Sequence, residues 1–173
     1  HMTRVMGIYK TIAISLSMVL LCAAVLPSSA AAADLDVSGW IPYWSESKGT
    51  RDAQKHLDDL SEIHPFGYSI KSDGKLKDLM GIKKSSWQKL ITSARSEDVL
   101  VTPTVMASDG ALIHKILSDK SKREKHIREI VEMMEEGDFD GVNIDYEAKK
   151  AETKDYFSAF LKELKEEIGD KRL

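Results

Sequence analysis

The sequence predicts an α/β domain made of four successive β-α units, half of a (β/α)8 TIM barrel. Three observations predict it. Strand-like and helix-like stretches alternate from Asp34 to the C-terminus, and that alternation lays strands parallel with right-handed crossovers. A doubly wound sheet accepts the same pattern, but no glycine-rich phosphate loop follows the first strand, which weighs against a dinucleotide-binding version. Acidic residues close the fourth strand, and barrels carry their catalytic groups at the C-terminal ends of strands.

Residues 3–33 read as a secretory signal. Arg4 and Lys10 make a basic start, Thr11 to Leu26 is uncharged and apolar, and Pro27 to Ala33 supplies small residues for cleavage. Cleavage is expected between Ala30 and Ala33, with export from the cell or into its envelope; an uncleaved anchor is the alternative. His1 ahead of Met2 reads as a cloning remnant. The single cysteine, Cys22, lies in the apolar stretch, and Leu21 before it is not the small residue that lipidation wants. The remaining domain, 34–173, has no thiol for a disulfide or for nucleophilic attack. Its 173-residue parent chain carries a net charge of −3, which argues against a nucleic-acid partner held by bulk electrostatics.

Val37 to Trp44 reads as the first strand, with Pro42 tolerated near its end. Ser45 to Thr50 is polar and reads as a loop. Ala53, His56, Leu57, Leu60 and Ile63 fall at helical spacing and predict a helix over 51–63. Pro65 to Ile70 is the second strand, closed by the turn Ser72-Asp73-Gly74. Ser86 is placed to cap a helix that runs through Trp87, Leu90, Ile91 and Ala94. Val99 to Met106 opens as a near-continuous apolar run, which suits a strand buried on both faces. Helices follow over 111–117 and 122–136, the second with Ile127, Ile130, Val131 and Met134 on one side. A final helix over 153–168 carries Tyr156, Phe157, Phe160, Leu161, Leu164 and Ile168.

Between those last helices lies the stretch that concentrates the chemistry, Phe139-Asp140-Gly141-Val142-Asn143-Ile144-Asp145-Tyr146-Glu147. Its apolar and polar residues alternate with a period of two, as on a strand. Asn143, Asp145 and Glu147 therefore share a face, about 7 Å apart per step. A row of polar groups on an inner face is costly unless paired or used. Neighbouring carboxylates also repel, and repulsion of that kind favours holding a proton, which is what a general acid needs. An edge strand with an ordinary solvated face would show the same alternation, and spacing alone leaves both readings open. Asp140 has the opposite parity and reads as structural.

Asp140-Gly141-x-x-x-Asp145-x-Glu147, preceded by Phe139, resembles the fourth-strand signature of glycoside hydrolase family 18, the family of chitinases and related hexosaminidases. Gly39-Trp40-Ile41-Pro42-Tyr43-Trp44, Pro65-Phe66-Gly67-Tyr68-Ser69 and Val101-Thr102-Pro103-Thr104-Val105 resemble its first three strands. Asn143 stands where the usual pattern has Asp, and the Asn form is similar to the peptidoglycan-acting branch. The resemblance implies a substrate-assisted retaining mechanism. In it Glu147 is the general acid and base, Asp145 orients the substrate's acetamido group, and Asn143 hydrogen-bonds Asp145. Asp140 and Gly141 belong to the structural part of the motif. The implied partner is an N-acetylglucosamine-containing polysaccharide, chitin or peptidoglycan, and no cofactor or metal is called for.

Aromatic faces stack on sugar rings, so Tyr43, Trp44 and Tyr68 are candidate substrate-binding residues; aromatic residues on strands, Trp40 among them, also serve as core. His56, His64, His114 and His126 lack metal-ligand spacing and read as surface or structural. Asn143, Asp145 and Glu147 offer too few oxygens for calcium. The lysine-rich tracts at 120–123 and 162–171 read as solvated helix faces. A complete barrel takes about 250 residues, so this chain reads as an N-terminal half. Either it is a fragment or two copies pair as a homo-oligomer to close the barrel, and open strand edges predict self-association. A non-catalytic glycan-binding module and a self-associating half-barrel without glycan chemistry are the alternatives to an enzyme.

Overall fold

The computed structural model describes residues 35–173, and Asp36–Leu173 forms one compact unit. The signal-like segment and Cys22 lie outside the described residues. Parallel strands β1 (Ser38–Pro42), β2 (Glu62–Ile70), β5 (Thr104–Ala107) and β6 (Asn143–Tyr146) lie side by side in that order. Two short strands join β2: β3 (Leu76–Asp78), antiparallel, and β4 (Leu100–Val101), parallel. The order runs one way along the chain, so the described strands contain no switch point of the doubly wound kind. The helices are α1 (Glu46–Lys55), α2 (Ser85–Ser96), α3 (Gly110–Leu117), α4 (Lys120–Glu136) and α5 (Lys154–Ile168). Among the described residues no helix is long and apolar enough to cross a membrane.

Several elements depart from the sequence reading. The polar stretch read as a loop forms the first half of α1, which packs close to β1: a Cβ on Gly49 would come within 2.9 Å of the Ile41 side chain. The helix ends at Lys55, and Ile63 lies in β2 instead, fully buried between Gly39 and Val101. Helical and strand spacing coincide over so short an apolar run, and pairing on both sides decides it. The third strand is broken at Thr102-Pro103 into β4 and β5, since Pro103 has no N–H for a ladder. Ser86 does not cap α2; its hydroxyl donates to Glu46 at 2.5 Å, and the helix begins at Ser85. The caps that form are Asp109 on α3, accepting from the amides of Ala111 and Leu112, and Asp119 on α4, accepting from that of Lys122.

The helices cover the sheet with most of the expected apolar stripes, although Tyr156 is exposed and Val131, Phe157 and Leu161 are only partly buried. Trp87, Leu90, Ile91 and Ala94 of α2, Ile127, Ile130 and Met134 of α4, and Phe160, Leu164 and Ile168 of α5 are buried. Arg123 of α4 forms a two-pronged pair with Glu163 of α5, both contacts 2.9 Å, and donates to the Leu117 carbonyl. This pair holds the Glu163 carboxyl below its ordinary pKa, chiefly through the hydrogen bond.

His126 takes the structural role read for it. It is fully buried on α4, with Nδ1 2.6 Å from the Gly74 carbonyl and Nε2 2.5 Å from the Tyr146 hydroxyl. Burial pushes its pKa below the ordinary 6.5, so the folded protein keeps the ring neutral. The contribution is complete above the unfolded-state value of about 6.5 and is lost as pH falls from there through the lower folded-state value. Between pH 7 and 5, urea unfolding of the wild type should lose up to about 1.4 kcal/mol per pH unit that His126→Gln does not lose. Parallel slopes for the two proteins would show that His126 charges as readily folded as unfolded.

Candidate active site

The acidic strand delivers its side chains to the carboxyl end of the sheet. β6 pairs with β5 in the register Thr104–Asn143, Val105–Ile144, Met106–Asp145 and Ala107–Tyr146. Val142 and Tyr146 are buried beneath the helices, while Asp145 is half-buried and Glu147 exposed. The two carboxylates line one cleft of about 380 Å³ together with Trp44, Phe66, Ser69, Ile70, Met106, Ala107, Ser108, Asp109 and Leu112. Those residues come from β2, β5 and β6 towards their carboxyl ends, from the turn after β1, and from the loop and first turn of α3 after β5, which is where open α/β sheets and barrels place their ligands. Among the described residues neither Asp145 nor Glu147 makes a side-chain hydrogen bond or ion pair, and no group of three or more His, Cys, Asp or Glu is placed to hold a metal. Two unpaired carboxylates in a cleft with aromatic walls can act as hydrogen-bond acceptors and as a proton donor to a polar ligand.

Asp140 and Gly141 make contacts within the fold and lie outside the cleft lining. The Asp140 carboxylate accepts from the Val101 amide at 2.8 Å and ties the start of the acidic stretch to β4. Gly141 forms a parallel bridge with Arg172, whose carbonyl oxygen would lie 2.3 Å from a Cβ on Gly141. No other residue fits there without moving the backbone.

Three of the assigned roles change. Asn143 does not bond Asp145: its side-chain oxygen accepts from the Thr104 hydroxyl at 3.2 Å, because Thr104 is its cross-strand partner on the same face. Asn143 is also outside the cleft lining. Tyr68 faces away from the carboxylates. A register shift between Phe66 and Tyr68 breaks the alternation, so Phe66 points into the cleft and Tyr68 into a separate groove between α2 and α4. There, burial and the neighbouring charges of Asp78 and Glu136 push its hydroxyl well above the ordinary value. Tyr43 supports rather than lines the cleft, packing edge-on to Trp44 with ring centres 5.1 Å apart. Trp44 alone of the three lines it, exposed and edge-on to Phe66 at 5.7 Å.

Phe66 and Asp109 join the lining without having been singled out in the sequence. Phe66 has the parity of Tyr68, so alternation offered it equally, and Asp109 carried only the signal of a helix cap. The Glu147 amide donates to the Ala107 carbonyl at 2.8 Å, and Ala148 then turns the chain in the left-handed region at φ 50°. That conformation costs an alanine about 1 kcal/mol. It also brings the Ala148 carbonyl oxygen to within 2.1 Å of where a Cβ on Gly110 would stand, so α3 can seat this turn only with glycine as its first residue. Gly110→Ala should displace the turn after Glu147 and cost about 1–3 kcal/mol. Chemical denaturation reads it, and an unchanged midpoint would show that the contact yields freely.

The chain was compared with known proteins. It is 28% identical over 115 residues to YdhD of Bacillus subtilis (strain 168), named as a sporulation-specific glycosylase, covering 62% of this chain and 26% of that protein. Among solved structures, a class V chitinase of Pseudomonas fluorescens Pf-5 aligns with a TM-score of 0.71 and 26% identity, over 80% of this chain and 43% of that one. The spore cortex-lytic enzyme SleL of Bacillus cereus aligns with a TM-score of 0.68 and 16% identity, over 79% of this chain and 33% of that one, and shows the fold alone. The chain thus spans less than half the length of each. The sequence model described as glycosyl hydrolases family 18 matches residues 39–173, nearly the whole folded unit and every residue of the acidic strand, and this chain belongs to that family.

Proposed function

We propose that this chain carries the acid-bearing half of a glycoside hydrolase that cleaves β-1,4-linked N-acetylglucosamine-containing glycans, peptidoglycan or chitin. The observation that carries the proposal is the placing of Asp145 and Glu147, both unpaired, in one cleft beside Trp44 and Phe66. Glu147, the more exposed, protonates the glycosidic oxygen and later takes a proton from water. Asp145 orients the substrate's 2-acetamido group as its oxygen attacks the anomeric carbon, in the substrate-assisted retaining scheme. Asn143 acts one step removed, holding β6 to β5 through Thr104. Trp44 and Phe66 offer apolar faces to a sugar ring.

The one-way strand order and the parallel bridge beyond α5 support reading the unit as half of a (β/α)8 barrel. Trp40 and Trp44 are exposed, and among the described residues β1 and β6 end the sheet, with only the Gly141–Arg172 bridge beyond β6. Pairing with a second copy would cover both. Export by the N-terminal segment would bring the protein to its glycan. The test is hydrolysis of a fluorogenic N-acetylglucosamine oligomer and of purified peptidoglycan, with light scattering on the same sample. Turnover supports the enzyme, binding without turnover supports a glycan-binding module, and neither overturns the proposal. A monodisperse monomer would overturn the self-association.

A further inference from the structure

We infer that His126 is a positioning residue for the two carboxylates, acting through the Tyr146 hydroxyl; the inference rests on the glycosidase reading of the cleft. Tyr146 stands between Asp145 and Glu147 in the chain and points the opposite way, into the core, where it is buried. Whatever holds the Tyr146 side chain therefore sets the backbone from which both carboxylates project. The hydrogen bonds assign every proton in the link. A carbonyl only accepts, so His126 Nδ1 must donate to Gly74, 2.6 Å away. Nε2 is then bare, and it accepts from the Tyr146 hydroxyl at 2.5 Å. Gly74 lies in the turn between β2 and β3 with φ 86°, a position suited to glycine. The link thus runs from that turn, through α4, to the acidic strand.

Packing alone does not call for this hydroxyl. Tyr146 stacks on Phe160 with ring centres 5.6 Å apart and an interplanar angle of 12°, and His126 stacks on the same ring at 5.8 Å and 22°. A phenylalanine would make the same stack without burying a polar group. What the hydroxyl adds is one directional bond that fixes the strand along its length as well as its depth. Misplacement of a reacting group by about 1 Å is enough to cost large factors in rate.

Tyr146→Phe removes the donor and keeps the ring, while His126→Gln keeps a donor for Gly74 and an acceptor for Tyr146. Amide hydrogen exchange is read by NMR on the full chain, alongside kcat and KM on the N-acetylglucosamine oligomer. Exchange at Glu147 should rise about tenfold in Tyr146→Phe relative to the amides of α2, whereas His126→Gln, with Tyr146 intact, should retain most of the protection. Catalysis should fall about tenfold in kcat with KM within twofold. Unchanged exchange at Glu147, or a loss confined to KM, overturns the inference. Exchange that responds as expected in the variants, when the wild-type chain shows no turnover, overturns the glycosidase reading and leaves His126 as the group that holds this strand.

Discussion

Replacing Glu147 by glutamine should reduce hydrolysis of an N-acetylglucosamine oligomer by about 10²–10⁴-fold and leave the fold untouched. Glutamine keeps the shape and the acceptor oxygen of the side chain but has no acidic proton, and a glycosidic oxygen leaves poorly without one. The substitution costs the fold little because Glu147 is exposed and its carboxylate is unpaired among the described residues. Surface changes of that kind usually stay within about 0.5 kcal/mol. The measurement is kcat and KM for both proteins, with circular dichroism and the unfolding midpoint as controls. The loss should fall in kcat, because the proton is transferred only in the transition state. A Glu147→Gln protein that turns over at the wild-type rate would remove Glu147 from the mechanism.

The second large effect concerns stability. Phe160→Ala should cost about 3–5 kcal/mol, the range for deleting a fully buried aromatic ring. Phe160 has no exposed surface and stacks on His126 and Tyr146, with Phe157 alongside at 6.2 Å. Its removal opens a cavity directly under the acidic strand, between α4 and α5. In thermal unfolding this corresponds to a fall of roughly 10–20 °C. A fall of only a few degrees would mean that the surrounding helices collapse into the space. The Arg123–Glu163 pair clamps these same two helices and argues against easy collapse.

Much of the fold was legible because apolar periodicity records burial. The stripes of α2, α4 and α5 and the alternation of the acidic strand needed nothing beyond the chain. Where runs were short, local pattern failed. The apolar residues from Ala53 to Ile63 fit a helix, yet Ile63 belongs to the central strand, because only neighbours distant in sequence supply its pairing. β3, three residues long, has no period to detect. Within the candidate site, Asp145, Glu147 and Trp44, singled out in the sequence, do line one cleft. Phe66 and Tyr68, two residues apart, would share a face by alternation; the register shift between them turns them to opposite sides, and nothing in their side chains announces it.

By itself, the sequence determined the family, the alternation of strands and helices, and the presence of two carboxylates on one face of one strand. The family followed from the resemblance of the acidic motif, and the rest from residue identity and from periods of two and 3.6, which are properties of the backbone alone. Tertiary structure alone decided which aromatic ring faces the cleft, why Gly110 and Gly141 admit no side chain, and how His126 reaches Tyr146 from another helix. Each depends on distances between segments far apart in the chain, and such distances arise only when the sheet and its helices pack.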